Sequence, residues 1–458
     1  MLGAILRTFQ NCFKIPELKS RIGFTLLLLG ICRLLAWIPV PGIDASGLQN
    51  YFEENAHRLD NTLLGMYSLF TGGALKNCAV GALGIMPYIT ATIIIQLLSA
   101  VVPQLSKLVR EEGGRAKIIQ FGRYLTVLLC LGHGTLMTLT WEHPEQLFTG
   151  FTGTLVIVDN LWWYRIQTIL LLTTGTVLLM WLGEQITERG IGNGVSLVIT
   201  IGIVADLPGA GQGLYLMFYP PGGEGGMNLL GVVGLVLLLG AVVAGVIAVT
   251  QAQRKIPVQY AQRAVGRKVY AGTSSFMPLR VNYAGVMPII FAQAILMFPS
   301  KIFVMLGKTS GIGLFDELGT QLSPGFLWYY VLYSAMILFF SYFWVATQFN
   351  EIQIADDLKK HGGYIPGVRP GVATSDYLHF SMSRITLAGA IFLTVIAVVP
   401  QLLGEMFGID PRVTNFFGGT SILITVGVLL DTMRQMETHL LMRHYDGFLK
   451  KGRLRGRF

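Results

Sequence analysis

Long apolar stretches, separated by polar segments, recur along the whole chain. Most of them reach the ~17–25 residues that a membrane-spanning helix needs. There are ten, at residues 22–39, 79–102, 124–141, 166–183, 190–205, 229–250, 284–300, 326–349, 385–404 and 413–430. The pattern predicts ten transmembrane helices, and an even number of spans places both chain ends on the same side of the membrane.

Composition agrees with a membrane protein. The 458 residues are 52% hydrophobic and 13% charged, and the mean hydropathy is +0.58. Soluble globular chains carry about 25% charged residues, so this chain lacks the polar surface to cover itself in water. Lys14, Lys19 and Arg21 precede the first apolar stretch, and no small-residue cleavage site follows it. We therefore expect the first span to be retained rather than removed as a signal peptide.

The distribution of basic residues predicts the orientation. Of the 34 Lys and Arg residues, 27 fall on the side of the two chain ends, six fall on the opposite side, and Arg33 lies within the first span. Positively charged loops remain in the cytosol. Both termini are therefore predicted to be cytosolic.

The predicted spans contain almost none of the charged groups and catalytic motifs that enzymes and ion-coupled transporters use. Arg33 is their one Asp, Glu, Lys or Arg residue, and the sequence contains no CxxC, HExxH or GxSxG motif. We predict no enzyme activity, metal or cofactor. Ion-coupled transporters usually carry ionisable groups within their spans. A secondary transporter of small solutes is the alternative hypothesis, and a purely structural scaffold is the third.

Three of the polar segments, 40–78, 251–283 and 350–384, are not explained as simple connectors. Residues 40–78 form a long excursion in which the mildly apolar stretch 61–70 predicts a short, half-buried helix. Segments 142–165 and 206–228 are interpreted as ordinary connectors. The loop 251–283 holds six basic residues and no acidic one. Such a loop either only signals orientation or binds an acidic partner or RNA phosphate. In the loop 350–384, prolines and glycines at 366–371 hold Arg369 at a loop tip, where contacts are made.

Several motifs resemble the SecY family, the pore subunits of the bacterial protein translocase. The matching segments follow the family order along essentially the whole chain, and the fifteen residues at 180–194 are the most specific match. They are Ile38–Asp44, Phe70–Leu75, Ala82–Ile89, Ile93–Leu97, Met180–Gly194, Pro366–Gly371 and Phe417–Ser421.

The resemblance implies an all-α clamshell of two five-helix halves around an hourglass pore. The expected divisions are residues 1–215, residues 216–434 and a basic cytosolic tail at 435–458. An aliphatic ring would close the pore, formed by Ile85, Ile89, Val195, Ile199, Ile290 and Ile424. A plug segment at about 59–75 would block the outer funnel, and its candidate residues are Leu63, Leu64, Met66, Leu69, Phe70, Gly72 and Gly73.

The resemblance also implies a function and partners. The chain would translocate secretory polypeptides across the bacterial inner membrane and release hydrophobic segments sideways into lipid. Expected partners are the SecE and SecG membrane subunits, the SecA ATPase motor, the ribosome, secretory preproteins, the lipid bilayer and a second copy of the complex. The residues expected to dock cytosolic partners are Arg254, Lys255, Arg263, Arg267, Lys268 and Arg369.

Overall fold

The computed structural model describes residues 15–55, 63–111, 113–144, 151, 153–219, 229–260, 263–265, 268–270, 274–310, 313–323, 325–407, 409, 413–414 and 420–451. Helices dominate, because an apolar chain in lipid satisfies its backbone groups best within its own helices. They are α1 Pro16–Leu35, α2 Ala45–Glu54, α3 Leu63–Phe70, α4 Met86–Val101, α5 Pro103–Arg110, α6 Gly114–Glu142, α7 Leu161–Arg189, α8 Gly194–Ala205, α9 Leu207–Phe218, α10 Leu229–Gln251, α11 Met287–Ser310, α12 Gly313–Gln321, α13 Leu327–Gln348, α14 Glu351–Lys360, α15 Val372–Met406 and α16 Thr420–Lys451.

Each of the ten predicted spans overlaps one of these helices. Among the described residues, six segments are long and apolar enough to cross a membrane, and two further apolar helices, Met86–Val101 and Met287–Leu296, are shorter. The six are Ala116–Glu142, Leu161–Arg189, Gly194–Phe218, Val233–Gln251, Leu327–Lys360 and Val372–Gly404. The first predicted span lies on α1, which also carries charges near its start at Glu17, Lys19 and Arg21. The prediction of a helical membrane protein is confirmed.

One predicted boundary and one predicted connector are wrong, and both involve a proline. The helix of the second span begins at Met86 rather than at residue 79, because Pro87 occupies the first turn of α4, residues 80–85 form turns and Ala79 bridges to Pro39. The segment 206–228, expected to be a connector, contains α9, which has Pro208 in its first turn. Proline has no N–H to donate and is tolerated where the helix does not use that group.

The loops 251–283 and 350–384 contain strands that the all-α prediction did not include. They are β1 Gln253–Tyr260, β2 Arg263–Val265, β3 Lys268–Tyr270, β4 Ser274–Arg280 and β5 Gly363–Tyr364. The order β4–β1–β5 forms one antiparallel sheet, and β2 pairs with β3 in a second. Ile256 and Val258 are buried while their neighbours in β1 are not, which is the alternation of a half-buried strand.

The chain divides into two compact units. One comprises Met1–Pro221, Asp410–Phe416 and Ile424–Phe458, and the other comprises Gly222–Ile409 and Phe417–Leu423. Most of α16 therefore belongs to the same unit as the N-terminal helices. α16 also runs without a break past residue 435, where the basic tail was expected to begin. The predicted division at residues 215 and 216 stays a prediction.

Candidate functional site

The six residues of the predicted aliphatic ring lie at helix ends and on helix faces in both units. Five of them are at most 4% exposed, namely Ile85, Ile89, Ile199, Ile290 and Ile424. Val195 is half-buried, and its Cγ2 lies 3.6 Å from the position that a Cβ on Gly183 would take. Val195 therefore packs towards α7. Side chains of this kind exclude water and offer no hydrogen-bonding group to hold a passing molecule.

The predicted plug segment contains the short helix that the sequence indicated. Leu63, Leu64, Met66, Leu69 and Phe70 lie on α3, which packs against α8, and Phe70 is buried. The expected residues 59–62 lie outside the described residues. After α3 the chain reverses through Gly72 and Gly73, both in the left-handed region with φ of 63° and 82°. Glycine adopts this conformation without steric cost.

Arg33 fixes the end of this segment, which the sequence analysis did not predict. Its Nη1 donates a hydrogen bond of 2.8 Å to the carbonyl oxygen of Gly72, 39 residues along the chain. The sequence signal was present: Arg33 is the one charged residue within the predicted spans. A half-buried charge in an apolar span needs a polar partner, but the sequence does not say which one.

The most specific motif, residues 180–194, comprises the end of α7, the loop 190–193 and the first residue of α8, and α1 and α16 both bond to this loop. The N–H of Ile191 donates to Thr25 Oγ1 of α1 over 3.1 Å, and the N–H of Gly192 donates to Gln435 Oε1 of α16 over 2.9 Å. A small apolar cluster supports these bonds, formed by Leu18, Ile22 and Ile191 with Ile15, Met436 and Leu440. The motif is therefore a junction between α7, α8 and the first and last helices.

Two loops that the sequence analysis treated separately form one surface, which we call the loop sheet (β4, β1 and β5). Gln259 and Tyr260 of β1 pair with Tyr364 and Gly363 of β5, and the Tyr364 hydroxyl donates to Gln259 Oε1 over 3.0 Å. Beneath the sheet lies a hydrophobic core to which both loops and the helices α13 and α15 contribute. Its buried members are Ile256, Leu279, Val345, Phe349, Ile365, Leu378, Met382 and Ile385.

The hydrophobic core and two hydrogen bonds determine the conformation of residues 366–371, which we call the Arg369 turn. Val368 packs against the core, and its N–H donates to the carbonyl oxygen of Ile365 over 3.0 Å. On the other side, Thr374 Oγ1 donates to the carbonyl oxygen of Arg369 over 2.9 Å. The Arg369 side chain is exposed. The turn is thus fixed while its guanidinium group points to solvent, as a contact residue requires.

The other predicted docking residues do not all lie on the loop sheet. Arg254 and Lys255 are exposed on β1, whereas Arg263 and Lys268 lie on the separate strands β2 and β3. Arg267 lies outside the described residues. Two exposed aromatic residues of the loop sheet were not predicted from the sequence, Phe276 at 61% and Tyr364 at 39% exposure. Register places Phe276 opposite Pro257, and this pairing was not visible in the sequence.

These features define a class of protein: a multi-pass helical membrane protein. A family model described as SecY matches residues 79–433. The protein translocase subunit SecY of Chlamydia trachomatis is 40% identical over 461 residues, which cover 99% of this chain and 100% of that protein. The chain belongs to the SecY family. It is accordingly a protein translocation channel subunit and not an enzyme.

Two solved structures share the fold. One is a SecY channel whose plug domain stabilises the closed state and maintains a membrane seal, with a TM-score of 0.59 and 18% identity over 97% of this chain and 98% of that one. The other is Sec61 in the canine ribosome–channel complex from the endoplasmic reticulum, with a TM-score of 0.55 and 17% identity over the same shares.

Proposed function

We propose that this channel conducts unfolded secretory polypeptides through a constriction formed by Ile85, Ile89, Val195, Ile199, Ile290 and Ile424. The observation that carries the proposal is the chemistry of these six positions, all aliphatic and five of them buried. A translocating chain presents changing side chains, so specific polar ligands would trap it. Aliphatic side chains seal without binding, and a narrow apolar constriction excludes ions because water leaves it.

The proposed plug closes the outer funnel at rest. It comprises residues 59–75, with Leu63, Leu64, Met66, Leu69, Phe70, Gly72 and Gly73 as its members. The position of α3 against α8, which carries Val195 and Ile199, supports this assignment. The related SecY channel, whose plug domain maintains a membrane seal, supports it as well.

Lateral release is the second part of the proposal. A gate between the second and third spans on one side and the seventh and eighth spans on the other would open towards lipid. A segment of about twenty apolar residues then partitions into the bilayer, because each such residue is more stable there than in the aqueous pore.

The loop sheet and the Arg369 turn are the proposed docking surface for cytosolic partners. Arg254, Lys255 and Arg369 are exposed, and basic groups suit ribosomal RNA phosphate or an acidic protein face. The ribosome-bound Sec61 relative supports the ribosome as a partner. We further propose SecA as the motor, SecE and SecG as membrane subunits, and a bacterial inner-membrane location with both termini cytosolic. Energy comes from a partner ATPase, from translation or from the membrane potential, since the channel itself hydrolyses nothing.

The test places a photo-crosslinking amino acid at Ile89 or Ile199 and stalls a secretory precursor during export. Crosslinks to the precursor at both positions are expected. A matched control at Leu128 of α6, which is 65% exposed, should give none. Absence of crosslinks at Ile89 and Ile199, with the precursor demonstrably engaged, would refute the proposed pore lining and favour the solute-transporter alternative.

A further inference from the structure

Arg33 lies at the meeting point of three elements within the N-terminal unit. Its guanidinium group contacts the Gly72 carbonyl directly behind α3. A cavity of about 30 Å³ adjoins it, lined by Phe70 and Thr71, by Ile85 at the start of α4, and by Val198 and Gly202 of α8. This volume holds about one water molecule. A charge can therefore remain partly hydrated here, between the proposed plug and the proposed ring.

The backbone around the contact has no room for another side chain. A Cβ on Gly72 would lie 2.2 Å from Arg33 Nη1 and 2.9 Å from the Cα of Gly202. A Cβ on Gly202 would in turn lie 3.0 Å from the carbonyl oxygen of Phe70. The two glycines thus allow the segment 70–72 to lie directly on α8, within reach of Arg33.

A second charge acts on the same group. The carboxylate of Asp206, the residue that follows α8, interacts electrostatically with Arg33. This attraction acts on the same guanidinium group that donates to the carbonyl oxygen of Gly72.

We propose that Arg33 is a positioning residue that holds the plug segment in its resting position through the Gly72 carbonyl. The inference rests on the proposed function, because it deepens the role of residues 59–75. Release of this single bond would free the segment after α3 while leaving the pore lining unchanged. Arg33 would thereby set how readily the resting channel opens, without taking part in transport itself.

The test compares Arg33→Met, which removes the donor, with Arg33→Lys, which keeps a charged donor. The control is Arg21→Met, because Arg21 lies on the same helix and its side chain is exposed. Each variant is prepared as the assembled translocase, in lipid nanodiscs for hydrogen exchange and in sealed vesicles for ion leak and export. Three quantities are measured: amide hydrogen exchange along the chain, ion leak through the resting channel in vesicles, and export of a precursor.

A hydrogen bond from a charged donor corresponds to roughly a tenfold to hundredfold change in an opening equilibrium. We expect Arg33→Met to raise exchange by that factor in residues 67–77, where the amides of Thr71, Gly73 and Asn77 are hydrogen-bonded. Ion leak should rise in parallel, and Arg33→Lys should recover part of both effects. Arg21→Met should change neither.

Exchange in residues 67–77 within about twofold of wild type, in an assembled Arg33→Met complex, would overturn the proposal. A rise in exchange spread equally over α4 and α8 would also overturn it, and so would loss of the complex in both Arg33 variants. Either result would mean that Arg33 stabilises the protein as a whole and not the plug in particular. The proposed function is judged separately. If the wild-type complex exports no precursor, the proposed function fails, whatever the exchange pattern shows.

Discussion

Replacing Ile365 with alanine should loosen the Arg369 turn without removing any charge from the surface. Ile365 follows β5, is 3% exposed, and belongs to the core beneath the loop sheet. Its carbonyl oxygen also accepts the hydrogen bond from Val368 that shapes the turn. Truncation leaves that bond possible but removes the packing that fixes its position.

The expected magnitude follows from the burial of Ile365. Truncating a buried isoleucine to alanine costs about 2–5 kcal/mol. We expect the lower end, about 2 kcal/mol, because the turn lies at the surface and can partly collapse into the space. If the free energy of local opening of residues 361–371 falls by this amount, their amide exchange should rise about 30-fold.

Hydrogen exchange measured by mass spectrometry on the assembled complex tests this expectation, with ribosome binding as the functional measurement. Val372→Ala is the matched control, since Val372 is 79% exposed and lies beside the same turn. It should change exchange by less than about twofold. A rise below threefold in Ile365→Ala, in a complex that assembles normally, would show that the core does not fix the turn.

Three further predictions follow from contacts or burial described above. Arg369→Glu should strongly reduce motor-driven export, measured as precursor translocation at wild-type membrane levels, and normal export would count against docking at this turn. Gly194→Ala should prevent accumulation of folded protein, judged by detergent-solubilised yield, because its Cβ would lie 1.9 Å from the Gly183 carbonyl oxygen. Gly209→Ala, which meets no atom within 4 Å, should accumulate normally. Burial raises the pKa of the Cys78 thiol from 9.0 to about 12, so only the unfolded state ionises between these values and stability should fall as the pH rises through them. Maleimide should label Cys78 slowly in the native protein at pH 8, in a variant whose other three cysteines are serine, and labelling as fast as in SDS would contradict this burial.

The sequence predicted the spans well because their signal is local. A run of apolar residues long enough to cross a bilayer has few alternatives to a helix. The predictions were wrong where one residue type is compatible with two structures. Proline indicated a connector at Pro208, yet at the first turn of a helix it costs little, and α9 begins there.

The contacts that organise the site were beyond the sequence because they join distant residues. Ile256 and Val258 alternate with exposed residues in β1, but nothing in the sequence indicated that β1 would pair with Gly363 and Tyr364. Arg33 was conspicuous as a charge in an apolar span, but its partner is a backbone carbonyl. Every residue has a backbone carbonyl, so residue type gives no information about which one is chosen.

The junction at residues 190–194 has a consequence for how the protein is made. The amide of Gly192 is satisfied by Gln435, which is synthesised 243 residues later. At translation rates of about 5–20 residues per second, that delay is roughly 10–50 s. During this interval α1, α7 and α8 can already be in place, yet the loop between α7 and α8 lacks its last partner. Arrival of α16 would therefore complete the N-terminal unit, so that a chain interrupted before its last helix keeps the loop between α7 and α8 without this partner.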